Sequence, residues 1–536
     1  MNEKNSNLKE LINTSNELLK KKDYLKAKNI LKKIISINNN IFEIHNNLGI
    51  VFLNLNELEN SINHFEKAIE LNPKFSVTYF NLGVVYEKLN NFKNSTKNYL
   101  KAIQLDKKNF NAYFNIGNLY KLENKINEAE KYLFQAIELN PNFIRAYNNL
   151  FEIFDRSNQI EKFEKLLNLS KVNLKNETFI NFFSGILEYK KKNYQKVIEI
   201  YEKINLDPND ISHQIVIYEL LAKSYDHVRN YEKAFKIFEN SNNQIYEIYK
   251  NKYDKNNYIN LINKRSEYFN KKNISKWNEL KVDSEDEPIF LFGFPRSGTT
   301  LLDTILSTHP SVNVLEETGI TDQFINLLSK KINNNLHNLE KIDLNFLNNM
   351  RQNYFQTRKK FSVPNSKKIY IDKMPLNLIY TGELVRFFPN AKFIFVVRNP
   401  YDAVLSSFMQ QFLPNDAMLN LTNIKDATQL YDLVMKLWFD YNDIFSLNVH
   451  TIKYENVVQN FDDTIKKLLN FLNISWNNKL SEYYRISEKR GIINTPSYDQ
   501  VNRPLYNKSI NRWLNYEAKF YDSKKILSKW VKKFNY

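Results

Sequence analysis

The residues with the clearest chemical content lie just past the middle of the chain, in Gly293-Phe294-Pro295-Arg296-Ser297-Gly298-Thr299-Thr300. This stretch follows an apolar run, PIFLFGF at 288–294, that is long enough for a buried strand and too short for a buried helix. It precedes LLDTILSTHP, whose apolar spacing is helical. A loop between a strand and a helix N-terminus aims backbone N–H groups and the positive end of the helix dipole at an incoming oxyanion. Gly293 and Gly298 also have the spacing of the nucleoside triphosphate loop, but Thr299 and Thr300 stand where that motif has Lys and then Ser or Thr. Without that lysine a kinase or NTPase loses its clamp on the β- and γ-phosphates. The cation sits inside the loop instead, as Arg296.

A second anion-binding pattern follows. NAKFIFVV at 390–397 is another buried-strand candidate, ended by Arg398 and followed by Asn399-Pro400 and the helical pattern YDAVLSSF. Arg398 then emerges at a strand's C-terminal end, where doubly wound sheets bind ligands. Pro400 suits a first helical turn, and Ser406 lies about two turns inside. Arginine and serine so placed can chelate a terminal phosphate, the guanidinium contributing a bidentate pair. Alone, Arg398 would be a surface arginine at a strand end and Ser406 a neutral helix residue; behind a phosphate loop they suggest a nucleotide site.

In this order the two motifs resemble those of the sulfotransferase superfamily. PRSGTT is similar to its 5'-phosphosulfate loop, and Arg398, Asn399, Pro400, Asp402 and Ser406 to its 3'-phosphate motif, R-[ND]-P-x-D-x-x-x-S. The resemblance runs from about Pro288 to Trp513 and is greatest to the protein-tyrosine sulfotransferases. Glu316-Glu317-Thr318 is similar to their E-E-T, Asp372-Lys373-Met374-Pro375 to their N-K-D-P, and Tyr454-Glu455 to their Tyr-Glu after a strand. Ser497, Tyr498, Gln500, Val501, Arg503 and Pro504 resemble S-T-x-Q-V-x-K-P, and Asn511, Arg512 and Trp513 resemble S-K-W.

The resemblance implies 3'-phosphoadenosine 5'-phosphosulfate (PAPS) as sulfuryl donor and no metal. It implies Glu317 as general base on the acceptor hydroxyl and Arg296 and Lys373 as cations on the leaving group, aided by Ser297, Gly298, Thr299 and Thr300. Arg398, Ser406, Tyr454, Ser497 and Arg512 would complete the donor site, with Arg512 on the 3'-phosphate. Outside that context Glu317 is a solvated loop carboxylate and Lys373 an ion pair with Asp372. The chain departs from the family at Gln410, where a further arginine is expected, and in lacking the membrane anchor and cysteines of the eukaryotic members. A protein tyrosine is the acceptor the resemblance favours; a glycan, lipid or small alcohol, or a catalytically inactive domain in an interaction protein, are the alternatives.

The elements ahead of these motifs repeat. Gly49, Gly83 and Gly117 are 34 residues apart, as are Ala68, Ala102 and Ala136. Each unit holds two helical apolar patterns around a short break, a pair that cannot bury its own face and must stack on its neighbours. The units resemble the tetratricopeptide (TPR) family, with Asn81, Leu82, Gly83 and Tyr86 in one helix and Ser61, Ser95 and Ala129 early in the next. Degenerate units are expected at Asp23 to Asn39 and around Tyr194 and Tyr231. The expected organisation is an α-helical TPR solenoid over 1–247, a polar linker over 248–287 ending in KVDSEDEP, and an α/β domain over 288–536. That domain is expected to be P-loop-like, with a doubly wound parallel sheet. The array is expected to act as a scaffold or as a groove holding a peptide or protein acceptor.

Composition narrows the rest. The chain has 536 residues, 43% hydrophobic and 14% aromatic, enough for packed cores. It has no cysteine, which excludes disulfides, thiolate metal sites and a cysteine nucleophile, and its seven histidines lack ligand spacing. The net charge of +17 interleaves with acids along helical faces, without a run of five basic residues, and Gly (9) and Pro (13) are scarce as in a product of AT-rich coding sequence. No nucleic-acid partner is expected from that pattern. With neither a signal-peptide core nor an apolar run approaching the roughly 20 residues that span a bilayer, a cytoplasmic location is expected.

Overall fold

The computed structural model describes residues 2–205, 207, 210–278, 287–361, 369–487 and 504–536. The chain forms two compact units, Met1–Phe183 and Ser184–Tyr536.

The first unit is built of helix pairs: Asn2–Lys20 with Tyr24–Ile37, Phe42–Asn54 with Leu58–Leu71, Ser76–Lys88 with Phe92–Leu105, Phe110–Leu122 with Ile126–Leu139, and Ile144–Arg156 with Ile160–Asn173. Each pair turns through one left-handed residue, Lys22, Asn56, Asn90, Asn124 or Asn158, spaced by 34. Asparagine tolerates that backbone better than most residues, which accounts for its recurrence at the turn. Where the helices cross, a Cβ on Gly49 would lie 2.5 Å from the Phe65 ring and one on Gly83 would lie 2.6 Å from Tyr99. Ser61 and Ser95 fasten the same crossings by donating to the Gly49 and Gly83 carbonyls at 2.7 and 2.8 Å. The fifth pair does without the glycine: Phe151 takes its place and stacks on Phe183 at 3.9 Å.

The second unit opens with more helices. Ile211–His227 and Tyr231–Tyr249 keep the repeat's left-handed turn, at Arg229, and Lys255–Tyr268 follows. Five strands then form one parallel sheet in the order β2-β3-β1-β4-β5: β1 Ile289–Gly293, β2 Val312–Glu316, β3 Ile369–Lys373, β4 Lys392–Val397 and β5 Asn448–Lys453. Side-chain alternation gives the sheet two cores. Phe290, Phe292, Phe393 and Phe395 face a large aromatic core, whereas Leu291, Ile394 and Val396 face a smaller aliphatic one with Leu302, Ile305 and Ile465. The chain leaves β1 toward β2 and leaves β4 toward β5, so the two connections diverge. That divergence opens a crevice at the carboxyl ends of β1 and β4, the usual ligand position in such sheets.

The segment expected as a polar linker over 248–287 is in part helical. The polar segment contains helix Lys255–Tyr268, which buries Ile262, Arg265 and Tyr268. Ala222, Phe235, Phe238 and Ile262 share the aromatic core with the sheet. Arg265 reads as polar in sequence, but its guanidinium meets the buried Glu383 carboxylate at 2.5 Å. A buried charge is tolerated when paired in this way, so mean polarity gives no boundary here. The helices from Ser184 onward therefore belong to the same compact unit as the sheet.

Candidate functional site

β1 ends in Gly293, and the loop from Phe294 to Gly298 leads into helix Thr299–Ser307. Arg296 and Gly298 both adopt left-handed backbone, at φ +65° and +105°. Gly298 is needed twice, because a Cβ there would also lie 2.7 Å from the Tyr454 ring. As the N-cap it offers no side chain to the first-turn N–H groups, which leaves them for a ligand.

The second motif is sewn to the first. Arg296 Nε donates to Ser406 Oγ at 3.2 Å, Ser407 Oγ donates to the Pro295 carbonyl at 3.1 Å, and Arg398 donates to the Arg296 carbonyl at 3.1 Å. Arg398 also donates to the Ser509 carbonyl at 2.5 Å and lies over the Tyr454 ring at 4.9 Å. Its Nε is buried without a hydrogen-bond partner. Asp402 does not face the ligand: it accepts from the backbone N–H groups of Asn511 and Trp513 at 2.7 and 2.9 Å, and so ties down the strap that carries Arg512. Trp513 stacks on Tyr401 at 4.2 Å.

One pocket results. Arg296, Gly298, Thr299, Thr300, Arg398, Ser406, Tyr454 and Arg512 all line it, with Tyr483, Tyr506 and Ser509. Ser297 is outside this lining; it is buried, its N–H donates to the Phe294 carbonyl at 3.1 Å, and its Oγ lacks a partner. Burial and the adjacent Arg398 pull the Arg296 guanidinium down to about 10. Burial works against the charge of Arg512 as well, but Asp226 outweighs it and holds the guanidinium above its ordinary value. Three cations with one orphaned N–H converge on a helix N-terminus, which fits a ligand carrying several negative charges that would offset the repulsion between Arg296 and Arg398. Ser497 lies outside the described residues.

Glu317 and Lys373 are brought together elsewhere on the same sheet edge. Lys373, at the end of β3, is fully buried; its Nζ lies 2.8 Å from Glu317, 3.4 Å from Glu316 and 3.7 Å from Asp303. Burial opposes its charge, but Asp303, Glu317 and Glu316 together raise it above the ordinary lysine value. Glu317 has left-handed backbone at φ +49°, and its side chain is about one-third exposed, at 36%. The expected alternative partner, Asp372, points to the other face of β3, where Thr321 donates to it at 2.6 Å and Tyr354 at 3.2 Å. Neither Glu317 nor Lys373 lines the arginine pocket. The two groups of residues share helix Thr299–Ser307, which places Thr299 and Thr300 in the pocket and Asp303 against Lys373.

Gln410 lies away from the arginine pocket, in a second small cavity with Asn242, Gln411 and Phe412. Asp226 was not identifiable from the sequence. It lies in helix Ile211–His227, pairs with Arg512 at 3.0 Å and accepts from Tyr516 at 2.5 Å. Nothing in a degenerate repeat marks one aspartate as facing a pocket.

Residues 288–478 match the sulfotransferase family, residues 42–75 and 110–143 the tetratricopeptide repeat, 64–95 a further tetratricopeptide repeat family, and 88–123 a TPR repeat family. An uncharacterized protein of Aquifex aeolicus (strain VF5) is 22% identical over 329 residues, covering 59% of this chain and 41% of that protein. The chain thus spans well under half the length of that relative. Among solved structures, the C-terminal part of a TPR repeat-containing protein from Cytophaga hutchinsonii is 17% identical, with 43% of this chain and 93% of that one covered at a TM-score of 0.37. Pseudomonas aeruginosa pilF is 15% identical, with 39% and 96% covered at a TM-score of 0.34. The chain thus matches tetratricopeptide repeat models in its first half and a sulfotransferase family model over 288–478. No helix among the described residues is long and apolar enough to cross a membrane.

Proposed function

We propose that this chain transfers a sulfuryl group from PAPS to an acceptor hydroxyl, a protein tyrosine being the favoured acceptor. The observation that carries the proposal is the convergence of Arg296, Arg398 and Arg512 on one helix N-terminus at the β1/β4 crevice. PAPS presents a 5'-phosphosulfate and a separate 3'-phosphate, and the pocket offers a cation-bearing loop for the first and the Arg398–Ser406 motif with Arg512 for the second.

In the proposed reaction the acceptor oxygen forms a bond to sulfur while the bond from sulfur to the bridging oxygen breaks, and its electron pair leaves with adenosine 3',5'-bisphosphate. Preorganised cations stabilise the charge that develops on that oxygen. Arg296 and the loop N–H groups are placed for it. Glu317 takes the acceptor's proton, a role worth roughly 10²- to 10⁴-fold in rate. Lys373 holds the Glu317 carboxylate in place and neutralises the neighbouring acids.

Titrating adenosine 3',5'-bisphosphate into wild type and Arg398→Ala tests the donor site. Binding by wild type that Arg398→Ala reduces by about 100-fold or more is expected, since leaving one partner of a buried charge pair unmatched costs roughly 2–5 kcal/mol. No binding by wild type overturns the proposal.

A second reading has its own observation: Lys373 is fully buried among three carboxylates, which suits a structural ion cluster in an inactive domain. Glu317→Gln separates the two readings. An active enzyme keeps bisphosphate binding and loses transfer of labelled sulfate to tyrosine peptides; an inactive domain shows no transfer in wild type either.

A further inference from the structure

The donor pocket takes one of its supports from outside the expected catalytic domain. Arg512 lines the pocket from the strap that begins at Asn511, whose left-handed backbone has φ +58°. Asp402 fixes the strap's backbone through two N–H groups, but it does not fix a long arginine side chain. Asp226 does, at 3.0 Å, its side chain only 13% exposed and that of Arg512 26% exposed. The carboxylate is itself held: Tyr516, a buried residue of the same strap, donates to its other oxygen at 2.5 Å and packs edge-on against Tyr231 at 5.4 Å. Arg512 and Tyr516 therefore grip one carboxylate from one strap.

Electrostatics gives the grip a purpose. Arg512 shares its pocket with Arg296 and Arg398, and like charges in a partly desolvated site repel. A carboxylate behind Arg512 offsets that repulsion in the free protein and leaves the rest of the guanidinium's donors for an anion. An arginine has five donors in a rigid fork, enough to serve a carboxylate and a phosphate together.

We propose that Asp226 is a positioning residue that holds Arg512 for the nucleotide's 3'-phosphate, which makes the helix pair Ile211–His227 and Tyr231–Tyr249 a working part of the donor site. This rests on the reading of the pocket as a PAPS site. The geometry assigns to these helices a role in selecting a 3'-phosphorylated nucleotide over one without it, independent of any role in holding the acceptor.

The test is calorimetric titration of the full chain with adenosine 3',5'-bisphosphate and with adenosine 5'-monophosphate, which differ only in the 3'-phosphate. Asp226→Asn is expected to weaken the bisphosphate about 10- to 100-fold, the range of coupling between contacting charged groups, and the monophosphate about 3-fold or less. Asp226→Glu is expected to restore part of the selectivity. Arg512→Gln is expected to give the same selective loss, and the double variant no further loss. Equal weakening of both ligands by Asp226→Asn would show a merely structural residue and overturn the inference, as would unchanged binding of both. If wild type binds neither ligand, the PAPS reading fails and this inference with it. If wild type prefers the bisphosphate and Asp226→Asn keeps that preference, only the inference fails.

Discussion

The carboxyl edge of the sheet carries two clusters of charge solved in opposite ways. At β1 and β4, three arginines share a pocket in which Arg512 is ion-paired to Asp226, while Arg398 keeps a buried N–H without a partner among the described residues. At β2 and β3, a single lysine is enclosed by three carboxylates and has no exposure at all. The first cluster gathers cations around a buried donor left open; the second is the more complete, its one cation balanced by acids of which Glu317 stays partly exposed.

Removing the central charge of the complete cluster should have the largest effect. Lys373→Ala leaves Asp303, Glu316 and Glu317 facing one another, and unpairing buried charge costs roughly 3–5 kcal/mol. Urea denaturation should show that loss, and Arg398→Ala should lose much less stability because it relieves repulsion with Arg296. Equal losses would erase the contrast.

A smaller effect is expected at the tie between pocket and strap. Asp402→Ala strands two backbone N–H groups, at about 1–3 kcal/mol for the desolvated donors, and should weaken bisphosphate binding by freeing Arg512. Stability lost without any change in affinity would separate the strap from the pocket.

A third effect is spread over a pH window, about 1.4 kcal/mol per unit of pH at most. Burial pushes the Asp372 carboxyl, on the face of β3 opposite Lys373, up to about 6 from 3.8. The folded state then holds its proton more tightly than the unfolded state, so stability falls as pH rises between those two values. Asp372→Asn should flatten the stability profile across that window, measured as unfolding midpoints at a series of pH values. An unchanged slope would place the titration elsewhere.

The phosphate loop and the Arg398 motif were legible because their chemistry is local: glycine, arginine and hydroxyl residues within a few positions of a strand end. The repeats were legible through the spacing of Gly49, Gly83 and Gly117. The fifth unit was not, because Phe151 replaces the marker glycine and packs on Phe183. Lys373 and Glu317 were picked out, but their grouping with Glu316 and Asp303 was not, because it depends on strand register: Glu316 lies opposite Lys373 only once β2 pairs with β3. Asp226 escaped for the same kind of reason, its partner lying 286 positions away in the chain. The helix within 248–287 was hard to read because a buried ion pair, Arg265 with Glu383, looks like solvated polarity when each residue is taken alone.

The left-handed turn residues recur at Lys22, Asn56, Asn90, Asn124, Asn158 and Lys192, each 34 after the last, and then Arg229 follows after 37. The break in phase falls between Lys192 and Arg229, ahead of Asp226's helix pair. A constant phase lets each unit present the same face to the next, whereas three extra residues turn the last pair to a different angle, the one at which it packs in a single compact unit with the sheet.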